Sequence, residues 1–211
     1  MTTGKPGRTA RGERTRAKLL EAAEQVFAQL GYHDASIVKI TDAAGVAQGT
    51  FYLYFSSKLE VFDELVDDLN RRVRHAMSEG SAAGRDRIES ERLGFEAFFR
   101  FTAEHPALYR IIRQAEFVSP AALRRHYTRI VEGYTDGLEK ASAAGQIADD
   151  IDPVVAAWAL MGIGELIGMR WVLWDADESG KAAGVPPPVF EEVMRFVQRA
   201  LGARDVPEDE K

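Results

Sequence analysis

An all-α fold of about nine helices is what this 211-residue sequence predicts, and three observations carry it. Apolar residues recur at i, i+3 and i+4 through segment after segment, the period of a helix with one buried face. No run alternates apolar and polar residues in the two-residue period of a strand. Proline and glycine punctuate the helical runs: Pro106, Pro120 and Pro153 stand where helices start, and Gly31 and Gly45 where they end. A hydrophobic share of 45% with 28% charged residues is that of a globular chain.

In chain order, residues 1–10 hold Gly4, Pro6 and Gly7 and read as a flexible basic arm. Leu19/Leu20, Ala23, Val26/Phe27 and Leu30 make an amphipathic helix of residues 11–30, closed by Gly31. Ser36 is placed to cap a short helix, Ile37 to Ala44, which Gly45 ends and Val46 follows as a buried turn residue. A third helix, "AQGTFYLYF", starts near Ala47. Ser57-Lys58-Leu59-Glu60 has capping-box spacing and opens a fourth helix to about Met77, with the stripe Phe62, Leu65, Val66, Leu69, Val73. Further helices are predicted at 85–103, 106–117, 120–144, 153–175 and 187–202, with Ser119 and Asp152 as caps. Residues 176–188 read as a flexible loop and 204–211 as an acidic tail.

The net charge is −6, but it is unevenly placed. Residues 1–58 hold eight Lys or Arg against five Asp or Glu, a net +3, which leaves −9 for the rest. A basic head on an acidic body is the asymmetry of a nucleic-acid module joined to something else. Two short helices joined by a glycine turn have helix-turn-helix spacing, because the left-handed backbone of Gly45 allows a sharp swing. In that motif the second helix enters the major groove. Helical spacing then divides its rings. Val46, Thr50, Phe51 and Phe55 share one side with Leu53 at its edge, while Gln48, Gly49, Tyr52 and Tyr54 fall largely on the other. Phe51 and Phe55 are core rings, and the hydroxyls of Thr50, Tyr52 and Tyr54 suit phosphate oxygens. Gln48 can read adenine, Gly49 permits close approach, and Lys39 and Lys58 offer charge to a backbone. The arm Lys5–Arg14 either enters a minor groove or screens phosphates.

The stretch "SIVKITDAAGVAQGTFYLYFSSKLEVFDEL" resembles the N-terminal signature of the TetR family of bacterial transcriptional regulators. Ile40, Ala44, Gly45, Val46, Gly49, Thr50, Phe51, Tyr52, Tyr54, Phe55, Lys58 and Val61 stand where that pattern expects them. Thr41 departs from the customary alanine and Ala47 from the customary serine. The resemblance covers residues 11–66. It implies that Thr50, Tyr52, Tyr54 and Lys58 hold phosphates, that Gln48 and Gly49 face bases, and that residues 11–57 form the DNA-binding domain. Residues 58–203 would then bind an effector and dimerise, with the fourth helix transmitting the signal.

A short recognition helix reads few bases, so a homodimer on a palindrome in double-stranded DNA is expected. Val154–Trp174 is apolar nearly all round, "GELIG" (164–168) permits close backbone approach, and the last helix adds a second stripe. Gly164, Gly168, Trp171, Val193, Phe196 and Val197 are therefore the expected dimer interface, the family's last two helices having that role. Between head and interface the chain is rich in rings, most of them core. Phe98, Thr102, Tyr109, Tyr127, Tyr134, Trp158, Met161 and Glu165 are the candidates for an apolar pocket that takes a hydrophobic small-molecule effector. Glu165 is either paired, with Arg110 or Arg113, or meets a polar ligand group.

The function expected is a cytoplasmic, ligand-responsive repressor. Its alternative is a DNA-binding activator or architectural regulator without an effector. With no cysteine there are no disulfides or thiolate metal sites. None of the four histidines follows a Glu or Asp by three residues, and no Walker loop, G-x-S-x-G or H-E-x-x-H occurs. No enzyme, cofactor or metal is expected. Glu165 and Arg170 within the apolar run, and the missing apolar stretch behind the basic N-terminus, argue against a spanning helix and a secretory signal.

Overall fold

The computed structural model describes residues 10–175 and 184–203. The first nine residues of the predicted arm, residues 176–183 of the loop and the tail 204–211 lie outside them. The described chain is helical throughout: α1 (Ala10–Asp34), α2 (Ile37–Ala44), α3 (Gln48–Phe51), α4 (Lys58–Ser81), α5 (Arg87–Glu104), α6 (Ala107–Val118), α7 (Pro120–Ala143), α8 (Pro153–Gly168) and α9 (Pro187–Ala200). It forms two compact units. One comprises the described residues up to Asn70 with Ala107–His126, the other Arg71–Pro106 with the described residues from Tyr127 on.

In the first unit, α1 buries Leu19, Ala22, Ala23, Val26 and Phe27, and α4 buries Val61, Phe62, Leu65, Val66 and Leu69. Phe27 meets Phe62 edge-on at 5.3 Å and stacks on Tyr32 at 5.7 Å. Gly31 breaks α1 with φ 74° and ψ 165°, as the sequence predicts, but helical turns resume as far as Asp34. The break frees the Tyr32 N–H, and Gln114 of α6 accepts it through Oε1 at 2.6 Å. Ser36 caps α2 by accepting the Lys39 N–H, and Gly45 closes it in the left-handed region at φ 66°. Thr41 is buried, and its hydroxyl is satisfied by the Val38 carbonyl at 2.9 Å. Val46 is half-buried rather than buried.

His126 and Asn70 form a buried polar pair in this unit. The Asn70 amide donates to His126 Nδ1 at 3.1 Å and to the His126 carbonyl at 2.9 Å. Nδ1 is thus an acceptor, which a protonated ring cannot be. Burial pulls the imidazole down to about 4, with Asp67 opposing. The folded state therefore prefers neutral imidazole, and the stability this supplies is present above pH 6.5 and lost as pH falls toward 4. That preference is worth on the order of 3 kcal/mol. Urea melts at pH 7 and pH 4.5 should differ by less in His126→Asn than in the parent; equal differences would refute the assignment.

The second unit is built on Phe95, Phe99, Leu138, Ala157, Leu160, Phe190, Met194 and Val197. Arg92 of α5 grips Glu191 of α9 through two bonds of 2.7 and 2.8 Å. Asp86 caps α5 and Asp152 caps α8 by accepting first-turn N–H groups. The helix predicted at 153–175 is α-helical only to Gly168. Met169–Leu173 continue as a π-helical turn, the Trp174 N–H reaching the Met169 carbonyl at 3.0 Å.

Candidate functional site

The recognition segment shows why six residues can hold four rings. Phe51 and Phe55 are 0% and 1% exposed, whereas Tyr52 and Leu53 are 52% and 59% exposed. The predicted two-turn helix is a single α-turn, Gln48–Phe51. Thr50 and Phe51 carbonyls take the N–H groups of Leu53 and Tyr54 three residues on, so the chain tightens after Phe51. That tightening turns Leu53 outward instead of leaving it at the edge of the core. Ala47 precedes the turn with no side-chain bond, an omission that costs about 1 kcal/mol against a capping serine. Gln48 and Gly49 are exposed, and Thr50 and Tyr54 half-buried. Gln48, Gly49 and Tyr52 thus share the open side of the motif, flanked by Thr50 and Tyr54.

The two lysines behave differently from a free charge. Lys58 is half-buried, and its ammonium donates to the carbonyls of Tyr32 at 2.6 Å, Ala35 at 2.8 Å and, more weakly, His33 at 3.4 Å. It also lies 4.3 Å from the Tyr32 ring centre. Its three donors are absorbed by the α1–α2 junction, so a phosphate contact would require it to leave these partners. Lys58→Met should accordingly cost about 1–3 kcal/mol of stability and leave the salt dependence of DNA binding unchanged. A slope reduced by about one would instead return Lys58 to a phosphate. Lys39, exposed, donates to the Asp34 carbonyl at 3.0 Å. Glu60 accepts from Ser56 N and Oγ at 2.6 Å, so the reciprocal half of the capping box falls on Ser56 rather than Ser57.

The expected effector residues fall in different surroundings. Tyr109 is buried in the first unit. In the second, Phe98 and Met161 pack on the core, and Thr102 is fully buried with its hydroxyl on the Phe99 carbonyl. Tyr127 donates to Glu165 at 2.8 Å beside Trp158, so Glu165 is paired through a phenol. Of the eight, Tyr134 borders a half-open cavity of about 320 Å³ lined by α4, α5 and α7. Its other polar lining is Arg74, Arg87, Glu91 and three serines. These residues escaped sequence reading because no motif joins them; Arg87 and Glu91, one helical turn apart, were the available signal.

The expected interface also divides. Gly164, Gly168, Val193 and Val197 are buried in their own chain. A Cβ at Gly164 would come within 3.1 Å of the Phe95 ring, so this glycine admits α5. Trp171 is half-buried and Phe196 62% exposed. The opposite face of α8 is open through Val155, Trp158 and Leu166, with Trp174 beyond it. By length and composition Pro153–Leu173 could cross a membrane, yet only 28% of its apolar window is buried within the chain.

This helical head, with an exposed recognition turn on two buried rings, defines a helix-turn-helix protein of the kind that reads DNA. Residues 19–65 match the family model of bacterial regulatory proteins, tetR family. The chain is 30% identical over 170 residues to the uncharacterized HTH-type transcriptional regulator YdgC of Bacillus subtilis, covering 78% of this chain and 84% of that one. It is 30% identical over 167 residues to the fatty acid metabolism regulator protein of the same organism, covering 75% and 84%. The crystal structure of the transcriptional regulator FadR from Bacillus subtilis in complex with stearoyl-CoA shares the fold, with a TM-score of 0.73 and 22% identity, covering 86% of this chain and 96% of that one. The chain belongs to the TetR family of bacterial regulatory proteins, which are DNA-binding transcriptional regulators.

Proposed function

We propose that the chain is a homodimeric cytoplasmic repressor that holds a palindromic operator and leaves it when a hydrophobic small molecule binds. Residues 11–57 carry the DNA contacts and residues 58–203 the effector and the second copy. The observation that supports this reading best is the division of the recognition turn. Its two phenylalanines are sealed in while Gln48, Gly49 and Tyr52 stay open to a groove. Tyr52, Tyr54 and Thr50 bond phosphates, Lys39 adds charge, and Gln48 and Gly49 meet base edges. The apolar face of α8 supports the dimer. Val155, Trp158, Leu166, Trp174 and Phe196 are large and exposed, and a second copy would take them out of water. The interface is re-centred on them, with Trp171 at its margin. The fatty acid metabolism regulator among the relatives, and the stearoyl-CoA held by a protein of the same fold, favour a fatty acyl effector.

Binding of a labelled operator to Tyr52→Phe and Tyr54→Phe tests the contacts. Each should weaken by about tenfold for every sequence, the loss of one hydrogen bond to a charged group. The salt slope should stay constant, because a phenol displaces no counterion. Unchanged affinity, or a loss limited to one operator, would refute the phosphate role.

A further inference from the structure

The cavity between α4, α5 and α7 is walled by charge and hydroxyls. Arg74, Arg87 and one carboxylate, Glu91, line it together with Tyr134, Ser78, Ser81 and Ser90. Glu91 is already engaged: Arg87 pairs with it and the Tyr134 phenol hydrogen-bonds to it. Gly137 leaves room for that guanidinium, which a Cβ there would strike. Two cationic donors are left over. Arg87 Nε is buried with no acceptor, and Arg74, exposed at the rim, has no partner among the described residues. A buried N–H without an acceptor is costly, and an arginine is shaped for a carboxylate or a phosphate. Met77 and Ile130 give the same cavity an apolar side, and a Cβ on Gly133 would meet nothing within 4 Å.

We propose that this cavity binds the oxyanion head, carboxylate or phosphate, of a small amphiphilic ligand, with Arg74 and the Arg87 Nε–H as its donors. The site rests on the reading of the second unit as effector-binding and names the polar end of that effector. Burial raises the Glu91 carboxyl above its usual range and the Tyr134 phenol well above its own, so the phenol stays a donor to Glu91 and does not compete for the ligand.

The test is calorimetric titration of the full chain with octanoate, octyl phosphate and octan-1-ol, which share one tail. At least one anion should bind, at least tenfold more tightly than the alcohol, and the tighter of the two identifies the head. Arg74→Gln should weaken the anion by about tenfold and leave the alcohol unchanged. Gly133→Met should abolish binding without lowering Tm, because methionine favours a helix more than glycine does. Equal affinity for anion and alcohol, binding that survives Gly133→Met, or no binding at all would overturn the site. Operator binding by the same preparations separates the two readings. Retained DNA binding without anion binding fails this site alone, and the reverse fails the DNA reading alone.

Discussion

Phe51→Ala is expected to lose about 3–5 kcal/mol of stability, the cost of emptying a buried phenylalanine site, and to abolish operator binding with it. The ring is 0% exposed and sits 5.5 Å from both Phe55 and Tyr52. Together with Phe55 it anchors a recognition helix of one α-turn, which is far too short to persist alone. Tyr52→Ala, at the adjacent but exposed position, should shift stability by only about 0.5 kcal/mol while weakening DNA binding. Urea melts followed by far-UV dichroism, paired with operator titration, separate the two. If Tyr52→Ala unfolds the head as readily as Phe51→Ala, the division of this segment into two faces is wrong.

The second large effect belongs to Arg87→Met, expected to cost about 3–5 kcal/mol at neutral pH. Glu91 is 2% exposed and Arg87 is its cation. Removing one partner strands the other charge away from water. The sign of the pH dependence follows. Burial already raises the Glu91 carboxyl, so the folded state prefers it protonated, and stability is lost as pH rises through that raised value. The penalty in Arg87→Met should therefore shrink toward pH 4 and grow toward neutrality. Arg87→Met/Glu91→Leu should recover most of it, because apolar replacement of a buried pair is often neutral. A loss below about 1 kcal/mol, or no recovery in the double variant, would refute the buried pairing.

What could be read in the sequence was local. Ser36, Gly45 and Asp152 act on backbone groups within a few residues of themselves, so the limits of α2 and the start of α8 follow from residue type and order. The same holds for Phe51 and Phe55, four residues apart on one face. What escaped was set by distant partners. Lys58 looks like a surface charge until the chain brings the Tyr32 and Ala35 carbonyls to it from more than twenty residues away. Gly164 and Gly168 read as a seam for a second copy, but α5 occupies the Gly164 side first. An apolar all-round helix does not declare which stripe its own chain will take. The cavity residues come from three helices, and no spacing along the chain connects Arg74, Arg87 and Tyr134.

The central claim is that an exposed recognition turn on each of two copies reads DNA, and selection of bound duplexes from a random pool tests it most directly. The account predicts an enriched inverted repeat whose half-site centres lie about 10–10.5 base pairs apart or a multiple of that, with preference at one position per half-site relaxed in Gln48→Ala. An unenriched pool, or a single site without two-fold symmetry, would contradict it.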